Sequence, residues 1–180
     1  VLMGTGEPLD NYDNVLAALE VLTSPWGMAW SPTRITLSTA GITPRLEQLI
    51  EATKVHIAVS LHTPFHDQRA EIMPVEKAYP IRELTDMLRR HDFSGQRRLS
   101  FEYILMEGLN DTAAHIRELR RLLNGLNCRI NIIRFHRIPD SPYFSPPRQK
   151  MEAFRDRLTA GGIHTTIRAS RGEDIQAACG

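Results

Sequence analysis

Small residues and hydrogen-bonding side chains recur in short clusters along this sequence. The first is Gly4-Thr5-Gly6-Glu7-Pro8, the second Ser38-Thr39-Ala40-Gly41, and the third Ser60-Leu61-His62. Later come Glu107-Gly108 with Asn110-Asp111, then Arg134-Phe135-His136, then Ser170-Arg171-Gly172. Glycine lets backbone approach a ligand closely. Glu7 offers a carboxylate to a cationic group, and Ser38, Ser60, His62 and His136 offer neutral donors and acceptors. Taken singly, each cluster has a structural explanation. Gly4–Pro8 reads as a plain βα turn, Ser38 as a cap for the next segment, and His62 and His136 as packed, satisfied rings. Their joint recurrence is harder to explain as structure, although it does not by itself identify a ligand.

The elements that must position these clusters alternate. Short apolar, β-branched runs give strands at Val1–Met3, Arg34–Ser38, His56–His62, Arg98–Leu105, Arg129–Phe135 and His164–Ala169. Amphipathic stretches give helices at Tyr12–Leu22, Pro44–Ala52, Ile81–His91, Ala113–Leu123 and Lys150–Ala160, with Ile116, Leu119, Leu122 and Leu123 at helical spacing. Thr43-Pro44 reads as an N-cap followed by proline in the first turn, and Gly161-Gly162 as a helix end. This β-α alternation predicts an α/β fold with a parallel sheet and crossover helices. In such sheets ligands sit at the carboxyl ends of the strands, where every cluster falls.

Composition narrows the class. The 180 residues are 42% hydrophobic and 24% charged, enough for one domain with a real core and too apolar for disorder. Lys plus Arg is 22 against 21 for Asp plus Glu, so any contact with nucleic acid needs a local patch rather than an overall basic field. No apolar run approaches the roughly 20 residues of a membrane helix, and no signal peptide is visible. Cys128 and Cys179 are too few for a disulfide scaffold and fit a reducing cytoplasm. They also fall short of the three neighbouring thiolates that a conventional iron–sulfur cluster requires. Asn127-Cys128-Arg129 opens a strand, so burial is the expected role of Cys128. The start at Val1 and the stop at Gly180 read as cuts in a longer protein.

Four motifs carry a family resemblance. Met3-Gly4-Thr5-Gly6-Glu7-Pro8-Leu9 resembles the GEP motif of radical S-adenosylmethionine (SAM) enzymes. Leu37-Ser38-Thr39-Ala40-Gly41 and Ser60-Leu61-His62 match two further motifs in order and spacing. The segment from Thr166-Ile167-Arg168 through Arg171-Gly172-Glu173-Asp174-Ile175-Gln176-Ala177-Ala178-Cys179-Gly180 is similar to the end of the RlmN family, the dual-specificity adenine-C2 methyltransferases of 23S ribosomal RNA and transfer RNA. The resemblance covers the whole chain and about half of a family member.

That resemblance implies a partial radical SAM (β/α)6 barrel lacking its first strand and the N-terminal accessory domain, with residues 1–180 as one truncated core plus a tail. It implies SAM contacts at Gly6, Glu7, Ser38, Ser60, Leu61 and His62, with Glu7 on the methionyl ammonium. His136 falls where many relatives carry Asn. Cys179 matches the cysteine that is methylated in turnover, a covalent device for an electron-poor carbon that is no nucleophile. A [4Fe–4S] cluster is implied for the full-length protein, with its CxxxCxxC ligands, a second catalytic cysteine and a proton-accepting glutamate upstream of Val1. No metal ligand is expected in this chain. The implied partners are 23S rRNA, tRNA and a reducing system for the cluster, in a monomeric cytoplasmic enzyme away from membranes. Arg134, Arg137, Arg168 and Arg171 are candidates for RNA phosphates, whereas Arg89-Arg90 and Arg120-Arg121 read as solvated helix faces. The rival readings are a Cfr-type adenine-C8 methyltransferase, a group that tends to carry Ala at the place of Pro8, another radical SAM enzyme such as a glycyl-radical activator, and a non-catalytic SAM-binding scaffold.

Overall fold

The computed structural model describes residues 1–4, 6–136 and 141–168. Five parallel strands form one sheet in sequence order: β1 (Thr36–Thr39), β2 (His56–Ser60), β3 (Leu99–Leu105), β4 (Arg129–Arg134) and β5 (His164–Ile167). Six α-helices accompany them: α1 (Tyr12–Thr23), α2 (Thr43–Ala52), α3 (His66–Ile72), α4 (Ile81–Leu88), α5 (Ala113–Leu122) and α6 (Arg148–Ala160). Because each strand lies beside its predecessor, every crossover runs the same way. Right-handed crossovers then put all the helices on one face of the sheet.

The strand sequences obey that asymmetry. Leu99, Phe101, Tyr103 and Leu105 of β3 alternate toward the helices and join the core with Ile57 and Val59 of β2 and Ile130 and Ile132 of β4. Against them pack Leu46 and Leu49 of α2, Leu84 and Leu88 of α4, Leu119 of α5 and Phe154 of α6. The Phe154 ring stacks on Tyr103 with centroids 5.7 Å apart. The alternate residues, Ser60, Ser100, Glu102, Asn131 and Thr166, are polar and belong to the opposite face. Polar residues on this inner face are what a concave sheet needs if it is to cradle a polar ligand.

Three local expectations change. Val1–Met3 forms no strand ladder but one bridge, Leu2 to Leu37, with the Leu2 N–H donating to the Thr36 carbonyl (2.8 Å). Gly4, at φ +117°, turns the chain out of the sheet directly afterwards. Arg34 lies in a 3-10 turn, Pro32–Arg34, so the strand after it starts at Thr36. Thr43 is the first residue of α2 rather than its cap, and its hydroxyl reaches back to the Gly41 carbonyl at 3.4 Å. The helix α3 was not anticipated. Its sequence, HDQRAEI, carries no apolar stripe, and the residue it buries is Arg69.

The outer face is the stabilising one. Phe101 is fully buried in it, and Phe101→Ala should cost about 3–5 kcal/mol in chemical denaturation. A loss below about 1 kcal/mol would show that this face is not the core.

Candidate functional site

Where the strands end, a cleft of about 330 Å³ opens, lined by Gly6, Glu7, Ser38, Ser60, His62 and Glu102 among others. Glu7 precedes the 3-10 turn Pro8–Asn11 and caps it by accepting the Leu9 N–H (3.0 Å). Its second oxygen accepts the Ala40 N–H at 2.6 Å. Both oxygens keep a second lone pair, so the fixed carboxylate can still accept from a cationic ligand. Neither the Ser38 nor the Ser60 hydroxyl has a protein partner among the described residues, which leaves both for whatever fills the cleft.

His62 sits in the left-handed region at φ +56°, a strained place for a non-glycine residue. The twist turns its ring back onto the sheet, where Nδ1 accepts the Ile104 N–H at 3.1 Å. Burial, with Arg69 adding like charge, pushes the imidazole down to about 4. At neutral pH the ring is therefore uncharged and carries its proton on Nε2. Asn110, fully buried, locks the arrangement. Its amide donates to the carbonyls of His62 and Ile104 (both 2.7 Å), and its side-chain oxygen accepts the Met106 N–H at 2.8 Å.

Behind the rim stands Arg69, which is 1% exposed. Its guanidinium donates to the carbonyls of Ala40 (2.9 Å), Ser60 (2.8 Å) and Leu61 (3.1 Å), and pairs with the equally buried Glu76. Glu76 in turn accepts the Ile81 N–H at the start of α4 and contacts His66 at 2.8 Å. One side chain thus ties together the ends of β1 and β2. Through Ala40, whose N–H holds Glu7, it also fixes the carboxylate. Glu102 forms part of the cleft wall, accepting from Asn131 (2.8 Å) and Ser100 (3.2 Å), with Arg168 3.5 Å from its other oxygen.

Residues 1–123 match the sequence model described as the radical SAM superfamily. The chain belongs to that superfamily. It is 55% identical over all 180 residues to a "Probable dual-specificity RNA methyltransferase RlmN" of Bacteroides fragilis, covering 52% of that protein. A protein of the same name from Porphyromonas gingivalis is 56% identical with the same coverage. The "Dual-specificity RNA methyltransferase RlmN" of Syntrophus aciditrophicus is 46% identical over the full chain, again with 52% covered. The chain therefore spans about half the length of the curated relatives it matches. The crystal structure of a radical SAM methyltransferase from Sphaerobacter thermophilus superposes with a TM-score of 0.92 at 42% identity, over 99% of this chain and 53% of that one. A domain of pyruvate-formate lyase-activating enzyme from Bacteroides vulgatus shares the fold alone, with a TM-score of 0.67 at 15% identity.

The structure brings Gly6, Glu7, Ser38, Ser60 and His62 to one cleft. Leu61 stands apart, because its side chain is fully buried in the core and its N–H and carbonyl are bound to Glu102 and Arg69. His136, half-buried two residues beyond β4, is not among the cleft-lining residues. Arg168 lies against Glu102 rather than free at the mouth, while Arg90 pairs with Glu47 and Arg121 with Glu118 on helix surfaces. Thr5, Arg137, Arg171 and Cys179 lie outside the described residues. The sequence reading missed Arg69, Glu76 and Glu102; a charged residue at a strand interior, as in Phe101-Glu102-Tyr103, was the one available signal.

The cleft suits SAM, which presents an ammonium, hydroxyls and a sulfonium to an anionic and neutral-polar wall. The thiol of Cys128 does not suit a cluster. Cys128 directly precedes β4, where the strands begin, and burial pushes its thiol up to about 12, far from the thiolate that iron requires. Among the described residues no three metal-binding side chains converge.

Two measurements probe this framework. Arg69→Met leaves Glu76 buried without its guanidinium, with His66 and the Ile81 N–H as its remaining partners, and should cost about 3–5 kcal/mol, part of which returns in the Arg69→Met, Glu76→Leu double variant. An exposed-pair effect below about 1 kcal/mol would contradict the strut. For His62, the unfolded ring titrates near 6.5 and the folded one near 4. Stability present above pH 6.5 is therefore lost as pH falls toward 4, because the unfolded chain binds the extra proton, by up to about 3 kcal/mol. His62→Asn, which tolerates the positive φ, should flatten that acid limb by a comparable amount. Parallel pH curves for the two proteins would refute the assignment.

Proposed function

We propose that these 180 residues form one radical SAM core with a methyl-accepting tail, part of an enzyme that methylates C2 of adenosine in 23S rRNA and tRNA. The observation that supports the reading is the continuity of the resemblance. Identity of 46–56% to RNA methyltransferases runs through the cleft motifs and on to the Cys179 tail. A non-catalytic scaffold would have no use for that tail.

In this reading Glu7 accepts from the methionyl ammonium, held in place by the N–H groups of Leu9 and Ala40. Ser38 and Ser60 offer unpaired hydroxyls, and His62 offers a neutral donor that stays neutral throughout the physiological range. A neutral ring matters beside a sulfonium, since an imidazolium would repel it. Leu61 anchors the motif in the core, with its N–H on the Glu102 carbonyl and its carbonyl on Arg69, and His136 is the residue of a further contact beyond β4. Cys179 is the sulfur that receives the methyl group. When bound, SAM with a [4Fe–4S] cluster supplies the methyl group and the radical chemistry that an electron-poor carbon demands. The cluster ligands must come from outside these 180 residues, because two cysteines cannot supply three thiolates. A reducing partner follows from the cluster. The setting is cytoplasmic and the whole enzyme monomeric; no helix among the described residues is long and apolar enough to cross a membrane. Pro8 favours adenine C2 over C8.

The test uses the whole, cluster-loaded enzyme. Glu7→Gln should weaken SAM binding by about 1.5–3 kcal/mol, the worth of a charge-assisted hydrogen bond. Cys179→Ala should keep SAM affinity and make no 2-methyladenosine, and mass spectrometry should find a methyl group on Cys179 of the wild type. Product formation by Cys179→Ala would sink the methyl-cysteine reading. Unchanged affinity in Glu7→Gln would remove Glu7 from the site.

A further inference from the structure

At the opposite edge of the sheet, where the strands begin, lies a larger groove of about 550 Å³. Its lining includes Gln96, Arg97, Arg98, Asn127, Arg129 and His164, and no carboxylate. Register explains the convergence. Arg129 pairs directly with His164 across β4 and β5 and with Ser100 across β3 and β4, while Arg98 immediately precedes β3.

The three arginines differ from six others in the chain, and they share a groove that no carboxylate lines. Arg82, Arg89, Arg90, Arg121, Arg148 and Arg155 each have an acidic partner on a helix surface. Arg97, Arg98 and Arg129 have no acidic partner among the described residues. Arg97 is only 8% exposed. One of its nitrogens donates to the Ile50 carbonyl at 2.9 Å, but Nε and Nη2 have no hydrogen-bond partner. Those two N–H groups form one edge of the guanidinium fork, the edge that meets a phosphate or carboxylate with two parallel bonds. A buried donor pair left open is costly. Asp92, which borders the adjoining hollow, is engaged by the Ser94 N–H at 2.7 Å.

We propose that this groove is a phosphate-binding site, taking either the phosphodiester backbone of RNA or a free phosphate. The apolar lining residues Phe93 and Leu99 are 6% and 2% exposed, so the groove has no apolar pocket to seat a peptide side chain, and what it exposes is guanidinium, amide and imidazole from Arg98, Gln96, Asn127 and His164. The arginines in it would meet a partner through its backbone charge. His56 reports on the field. Its Nδ1 accepts the Arg98 N–H at 2.9 Å, and burial first, then the charges of Arg98, Arg129 and Arg97, hold its imidazole below the usual range. An anion in the groove must relieve that repulsion. The proposal does not depend on the methyltransferase reading, because methyl transfer enters none of its observations.

The experiment measures binding of a short oligouridylate over a range of salt, and the His56 titration by NMR with and without inorganic phosphate. The variant is Arg98→Gln/Arg129→Gln, which breaks no ion pair, with Arg97→Lys as a second that keeps charge but loses the fork. In the wild type, phosphate should raise the His56 pKa, and the double variant should lose that response. Oligouridylate affinity should fall about tenfold or more, and the slope of log K against log salt should shrink by about two. Loss of the phosphate response with unchanged RNA affinity would assign the groove to a free oxyanion. A wild-type His56 that ignores phosphate would overturn the site, whatever the RNA affinities do.

Discussion

A buried guanidinium holds the cleft together. In a parallel sheet the last carbonyls of each strand have no further ladder partner once the chain bends away, and here those ends are covered. Arg69 takes up the Ala40 and Ser60 carbonyls beneath the rim and shares the Leu61 carbonyl with the Thr63 N–H. Burying that charge is expensive, since desolvating an ion costs several kcal/mol even after relaxation. It is tolerated because Glu76 neutralises it and the three carbonyls take up most of its remaining N–H groups. Geometry follows from this satisfaction. A group that must meet four acceptors at once fixes their relative positions, so the loops after β1 and β2 are set against each other before any ligand arrives.

The winding of the chain does the rest. Strands laid down in sequence order send every helix to one face, so one side of each strand is dry and the other faces inward. Residue parity then decides role. Phe101 and Tyr103 are core, while Glu102 between them faces Asn131 and Ser100 across the inner wall. The same parity explains Leu61. It sits between two cleft residues in the Ser60-Leu61-His62 motif, and its own side chain can only point into the core.

This division sets what the sequence could disclose. Strands β2 to β5 were legible because their apolar residues alternate or run continuously, and the motifs at their ends were legible because Gly, Ser and His cluster there. Helix α3 was not, since its buried residue is an arginine whose apolar surroundings come from elsewhere in the chain. Arg69 and Glu76 look like surface charges in one dimension; only the fold gives them a shared, dry location. The reverse error befell Asn110. It read as part of a polar mouth, yet it is fully buried and spends its amide on His62 and Ile104.

His62 shows how such a framework reaches chemistry. Its positive φ is unfavourable for a residue with a Cβ, and Asn110 and Ile104 hold it from two sides. The bond to Nδ1 settles the tautomer, and burial settles the charge. Without the Ile104 N–H the ring could carry its proton on either nitrogen. Without burial it would be half-charged near pH 6.5. The strained backbone is therefore the means by which a titratable residue becomes a fixed, neutral donor. Arg69 contributes twice, by holding the Ser60 and Leu61 carbonyls just before it and by adding positive charge that disfavours protonation. The same side chain that shapes the rim also sets the electrostatics of the ring in it.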